Sequence, residues 1–204
     1  MEASPYPTIN RFVFFSEIEP LLTPLEIEMV ETAYVFSKYG HRDQFRDDGR
    51  RYFEHPRAVA WIIIRELKLC NWKLIVLALL HDIKEDSYIL SWHRTQVNFG
   101  KEVALSLKLL TKDPKEGYLE RLKTYGTWRE ILVKICDRLN NLRTLGACTP
   151  EKIKSQIAET KREFIPLCDL LISRLPKNSR WRGKYLKDQV VNLCNQYEQI
   201  PPSK

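Results

Sequence analysis

The chain has 204 residues, enough for one domain with a substantial core and short for two. Hydrophobic residues make up 44% and charged residues 29%, proportions of a globular protein that exclude a disordered or low-complexity class. The formal charge of +7 points to an anionic partner (nucleic acid, a nucleotide or a phosphorylated metabolite) without choosing among them, and solubility alone is the plain alternative.

With 7 glycines against 11 prolines that fall mostly between periodic stretches, the composition favours helices over a turn-rich β fold. Residues 1–22, carrying Pro5, Pro7 and Pro20, are expected to be irregular. A helix then starts with Thr23 as N-cap, Pro24 at the first position and Glu26 completing a capping box, and runs through Ile27, Val30, Ala33, Tyr34 and Phe36 towards Tyr39. A basic loop, Arg42 to Glu54, leads to a helix from His55 or Pro56 with Val59, Ala60, Ile63 and Leu67 on one face. The next helix, roughly Trp72 to Lys84, is apolar on nearly every side until His81, which marks a buried central element. Lys101 to Thr111 is amphipathic, Lys112 to Gly117 is a turn, and helices follow over Tyr118 to Tyr125 and Thr127 to Leu145. Thr149 and Pro150 open another helix reaching about Ile172; Pro176 to Ser179 breaks it, and a weaker helix covers Lys187 to Tyr197.

Strand-like alternation is absent over any useful length, so the expected class is all-α, a single helical domain. Its expected limits are 23–174, with residues 175–204 a helical extension that packs back on the domain or assists a homo-oligomer. No stretch of about 18 apolar residues exists, so no membrane partner is expected. The N-terminus lacks a basic region followed by an apolar one, and the five cysteines form no CxxC pair. They read as reduced, packed thiols, and the expected location is the cytoplasm.

The densest chemistry follows the apolar run Leu74 to Leu80: His81, Asp82, Glu85 and Asp86 within six residues. Burying an ionised carboxylate is costly unless a cation or hydrogen bonds compensate. An isolated His-Asp pair is more often a helix emerging into solvent. A second aspartate, Asp137, lies in an apolar helix, where a salt bridge to Lys134 is the plain alternative and the adjacent Arg138 is badly placed for one. His55, opening a helix after the basic loop, is by itself an ordinary capping histidine. Together His55, His81-Asp82 and Asp137 supply two nitrogens and two carboxylates, a donor set suited to Mn²⁺, Fe²⁺ or Mg²⁺ with positions left for water. Glu85 and Asp86, one turn on, are placed to handle that water.

These segments resemble the hydrolase domain of the Rel/SpoT alarmone family, most closely its small stand-alone hydrolases, an HD-type phosphohydrolase fold. The resemblance rests on Gln44-Phe45-Arg46, Tyr52 to Ala60 around His55, Ala78 to Asp86, Phe99-Gly100, Leu110-Thr111-Lys112 and Asp137 to Thr144, in matching order over nearly three quarters of the chain. It implies one metal ion, usually Mn²⁺, on His55, His81, Asp82 and Asp137, and a catalytic pair Glu85 and Asp86. It also implies nucleotide contacts from Arg46, Asn141 and Thr144, with Lys112 in the phosphate region. His41 matches no metal ligand and reads as structural or substrate-adjacent.

The implied reaction is removal of the 3′-pyrophosphate from ppGpp or pppGpp, giving GDP or GTP and pyrophosphate, so the expected partner is a nucleotide and not nucleic acid. Two departures bear on the substrate. The family usually has lysine where this chain has Asp47, and Gly-Glu-Pro-Tyr where it has Gly49-Arg50-Arg51-Tyr52. An adenosine alarmone or the 2′-phosphate of a nicotinamide cofactor is therefore the alternative substrate. A catalytically silent nucleotide or nucleic-acid binding module is the alternative class.

Overall fold

The run Leu74–Leu80 sets the centre of the fold. A computed structural model describes residues 9–199, the side chain of Asp86 excepted. Among the described residues every regular element is helical, and the sole β pairing is an isolated bridge between Phe45 and Arg51. No helix is long and apolar enough to cross a membrane.

In chain order the helices are α1 (Arg11–Ile18), α2 (Pro24–Gly40), α3 (Glu54–Trp61), α4 (Trp72–Leu80), α5 (Ile83–Asp86), α6 (Trp92–Leu110), α7 (Tyr118–Tyr125), α8 (Trp128–Arg143), α9 (Pro150–Glu159), α10 (Ile165–Arg174) and α11 (Arg180–Gln199). Asn71 caps α4, its side chain accepting from the Leu74 N–H, and every residue from Leu74 to Leu80 is buried. Apolar side chains on all faces need partners on all faces, and α2, α3, α6 and α8 supply them. The capping box at Thr23 and Glu26 forms as the sequence predicts, and Thr149 caps α9. A π turn at Thr160–Phe164 joins α9 to α10. Pro166 follows directly; it has no N–H to donate and its ring crowds the preceding turn, which the wider turn accommodates.

Three stretches depart from the sequence expectation. Residues 9–22, expected to be irregular, contain α1: the Asn10 side chain accepts from the Val13 N–H, and Phe14, Phe15 and Ile18 are buried. The helix expected from Lys101 already begins at Trp92, capped by Ser91, and is interrupted at Gly100, whose φ of 83° lies in the left-handed region that favours glycine. The last helix starts at Arg180, not Lys187.

That last helix packs against α10 and α8. The Arg182 Nε donates to the Leu67 carbonyl at 2.7 Å. Arg143, at the end of α8, forks onto both Glu66 oxygens at 2.6 and 2.9 Å, and the Tyr185 hydroxyl donates to the same carboxylate at 2.7 Å. The extension thereby fastens α8 against the turn after α3. Gly183 is where α10 and α11 approach most tightly: a Cβ there would stand 2.7 Å from Ile172 Cγ1 and 3.3 Å from Leu175 Cδ1. Gly183→Ala is expected to cost about 1–3 kcal/mol from overpacking, against about 1 kcal/mol gained in helix propensity. Thermal denaturation should show a melting temperature several degrees lower; no change would mean that Ile172 turns aside freely.

Candidate metal centre and nucleotide pocket

Three helices bring four side chains to one point. His55 comes from the first turn of α3, His81 and Asp82 from the link between α4 and α5, and Asp137 from the middle of α8. All four are buried. His55 Nε2 lies 3.1 Å from Asp137 Oδ1 and 3.5 Å from Asp82 Oδ2; His81 Nε2 lies 3.1 Å from Asp82 Oδ2 and 3.7 Å from Asp137 Oδ1.

Hydrogen bonds fix which nitrogen of each imidazole faces this point. His55 Nδ1 sits 2.7 Å from Asn140 Oδ1, and His81 Nδ1 sits 2.8 Å from the Ala78 carbonyl. Both partners accept, so both Nδ1 atoms carry hydrogen and both Nε2 atoms present themselves inward. His81 Nε2 is buried and makes no hydrogen bond, although Asp82 lies near. Burial opposes charge on this ring, yet Asp82 and Asp137 outweigh it and push the imidazole pKa up to about 10. Burial likewise opposes charge on the two carboxylates. The imidazoles and, for Asp137, Lys134 hold both well below the usual range.

An inward-facing orphan nitrogen, a second imidazole and two buried ionised carboxylates fit a divalent cation. Ligand atoms of His55, His81 and Asp82 all lie within 4.8 Å of one another, and Asp137 Oδ1 completes the set at the distances given. The mixed nitrogen and oxygen donors, without thiolate, favour a first-row ion over a soft metal.

The two readings of Asp137 prove compatible, one for each oxygen. Oδ1 faces the histidines and accepts from Asn141 Nδ2 at 2.7 Å, while Oδ2 accepts from the buried Lys134 Nζ at 2.7 Å. Arg138 turns away to Glu159 at 2.7 Å. Three supporting residues escaped the sequence reading as functional groups: Lys134; Asn140, which sets the His55 tautomer; and Tyr52, whose hydroxyl donates to Asp82 Oδ2 at 2.8 Å. The i, i+3 spacing was the visible signal for Lys134. Nothing local signalled the other two. His41 stacks on Tyr52 with ring centroids 4.7 Å apart and pairs with Gln44, a structural role.

Glu85 lies on α5, its N–H donating to the Asp82 carbonyl at 3.0 Å. Lys112, expected in the phosphate region, holds this carboxylate: its backbone N–H meets Oε1 at 2.8 Å and its Nζ meets Oε2 at 3.0 Å. The side chain of Asp86 lies outside the described residues.

Arg46, Asn141 and Thr144 do come together. Arg46 Nη2 donates to Asn141 Oδ1 at 2.8 Å and to Thr144 Oγ1 at 3.2 Å. They line a cavity of about 190 Å³ with Asp47, Lys152 and Gln156, joined to the metal centre through Asn141. Asp47 does not leave this wall without a cation: Lys152 Nζ, from α9, reaches its Oδ2 at 2.7 Å. The Cys148 thiol lies 3.4 Å from the same oxygen.

A histidine on one helix, a His-Asp pair ending a second and an aspartate within a third define the HD class of helical metal-binding domains. No protein-family model matches the chain. It is 34% identical over 166 residues to the bifunctional (p)ppGpp synthase/hydrolase SpoT of Escherichia coli K12, covering 76% of this chain and 23% of that protein. It is also 34% identical over 183 residues to the guanosine-3′,5′-bis(diphosphate) 3′-pyrophosphohydrolase of Aquifex aeolicus, covering 83% and 26% respectively. A third relative, a putative chloroplastic GTP diphosphokinase of Arabidopsis thaliana, is 34% identical over 193 residues, 84% of this chain and 20% of that one. The chain belongs to the SpoT/RSH family, spanning about a quarter of the length of these curated relatives. Among solved structures, a metazoan ortholog of SpoT shares the fold with a TM-score of 0.66 at 21% identity, over 88% of this chain and 98% of its own.

Proposed function

We propose that this chain hydrolyses the 3′-pyrophosphate of ppGpp and pppGpp, releasing pyrophosphate and GDP or GTP, with one divalent cation, Mn²⁺, held by His55, His81, Asp82 and Asp137. The observation that carries this reading is the convergence of two Nε2 atoms and two ionised carboxylates beside a cavity lined by Arg46, Asn141 and Thr144, in a chain whose relatives carry that activity in their names. When bound, the cation supplies Lewis acidity towards phosphate and lowers the pKa of water.

The chain's own residues do the rest. Arg46, Asn141 and Thr144 hold the nucleotide, with the guanidinium also offsetting phosphate charge. Glu85, assisted by Asp86, accepts the proton from water as its oxygen bonds to the phosphorus next to O3′; the P–O3′ bond breaks and O3′ leaves with a proton. Lys112 holds Glu85 in place, and in our reading its ammonium also meets incoming phosphate. The helical unit of residues 23–174 carries this site, and residues 175–199 pack against it. All five cysteines are free thiols, which supports a reducing compartment and our placement in the cytoplasm.

The rearranged pair Asp47–Lys152 favours one second reading, in which the same centre takes an adenosine alarmone or a phosphorylated nicotinamide cofactor. Metal-stripped protein given pppGpp should form GTP and pyrophosphate only when Mn²⁺ is added. Inert, well-folded, Mn²⁺-loaded protein would reject the guanosine reading and send the assay to the alternatives.

A further inference from the structure

Beside the candidate metal centre one buried hydroxyl has no hydrogen-bond partner among the described residues. Tyr118 heads α7 with 6% of its surface exposed, its ring lying 5.5 Å from the Lys134 ammonium that binds Asp137. The hydroxyl makes no hydrogen bond among the described residues. An unsatisfied buried hydroxyl costs about 1–3 kcal/mol, so native structures rarely keep one without a partner in the working state.

The surroundings narrow what that partner is. The charges acting most strongly on Tyr118 belong to Lys112, Asp137, Glu85 and Asp82, the reacting side of the site. These groups are already engaged: Lys112 with Glu85, Lys134 with Asp137 Oδ2, Asn141 with Asp137 Oδ1 and Tyr52 with Asp82. None of them reaches the Tyr118 hydroxyl, which leaves the place open to an acceptor taken up from outside. Burial pushes the phenol pKa well above its usual value, so the group stays a neutral donor at physiological pH.

We infer that the Tyr118 hydroxyl donates a hydrogen bond to a non-bridging oxygen of the substrate's 3′-pyrophosphate, making it a further catalytic residue of the hydrolysis proposed above. A neutral donor suits this place. It stabilises charge on the pyrophosphoryl group as that group passes from O3′ to water, without drawing Asp82 or Asp137 into an ion pair, as another lysine would.

Tyr118→Phe tests this cleanly because it removes one oxygen and keeps the ring. The expected result is a tenfold to hundredfold fall in kcat for pppGpp, with metal content unchanged and a melting temperature equal to or above the parent's. Pyrophosphate should inhibit the variant about tenfold less well while GDP inhibits both proteins equally, a ratio that does not depend on the folded fraction. Unchanged turnover and unchanged pyrophosphate inhibition would overturn the inference. So would a lowered melting temperature with normal turnover, which assigns the hydroxyl to a structural water. Calorimetric titration of pyrophosphate into both Mn²⁺-loaded proteins answers separately from turnover. If the parent fails to hydrolyse pppGpp, the proposed reaction falls, and equal pyrophosphate affinities would remove the Tyr118 contact as well.

Discussion

Asp82→Ala and Asp137→Ala should both arrive without metal and without hydrolysis, yet differ sharply in stability. Each aspartate contributes one of only two carboxylates in the cluster, and the remaining donors, two imidazoles and one carboxylate, hold a hard divalent ion poorly. The expected fall in kcat/KM is about a thousandfold or more, roughly 4 kcal/mol of barrier at 1.36 kcal/mol per decade. The stability difference follows from Lys134. Asp137 is the carboxylate that receives this buried ammonium at 2.7 Å, and removing it leaves a charge in the interior with nothing to answer it. Breaking a buried pair from one side costs about 3–5 kcal/mol. Asp82 answers no lysine; it accepts from the Tyr52 hydroxyl, and the His81 ring beside it can shed its proton when the carboxylate goes. Elemental analysis, melting curves and pyrophosphate release on the two purified variants test all three claims together. A variant active without bound metal would sink the metal assignment. Equal melting temperatures would mean that Lys134 finds another acceptor when Asp137 is gone.

The parts legible in the sequence were those whose physics is local. Leu74 to Leu80 announces its burial because no face of that helix is polar, and Thr23-Pro24 and Thr149-Pro150 announce helix starts because their side chains and backbone do the capping themselves. The convergence of the four candidate ligands was legible for a related reason: His81 and Asp82 directly follow a run that must be inside, and Asp137 interrupts another. What stayed hidden depends on partners far along the chain. Helix α1 has almost no amphipathic pattern, and it is recognisable only once Phe14 meets Tyr34 and Trp61 and Phe15 meets Tyr34. The segment from Trp92 to Phe99 was obscured by Gly100, whose positive φ lets two helical pieces meet at a bend.

Contacts between distant side chains were hidden for the same reason. Asp47 reads as a lost positive charge until Lys152 is seen to reach it from α9. Lys112 gives no sign in the sequence of its hold on Glu85, which its amide and ammonium both reach. Neither pairing leaves any periodicity behind. In both cases the residue type was informative and its target was not.

Glu85→Gln is the substitution that separates holding the cation from using it. Glutamine keeps the length of the side chain and an acceptor oxygen for the Lys112 N–H, so the geometry between α5 and the turn after α6 should survive. It cannot accept a proton from water. General-base catalysis contributes about 10²–10⁴-fold, and kcat for pppGpp is expected to fall by that factor with little change in KM. Metal content should stay at the parent level, because Glu85 stands outside the four-residue cluster and forms its side-chain bonds with Lys112. A variant that keeps more than half of the parental kcat would move proton acceptance elsewhere, with Asp86 the first candidate. A variant that loses the metal along with turnover would instead make Glu85 part of the cation's support, and the division between ligands and base would have to be redrawn around α5.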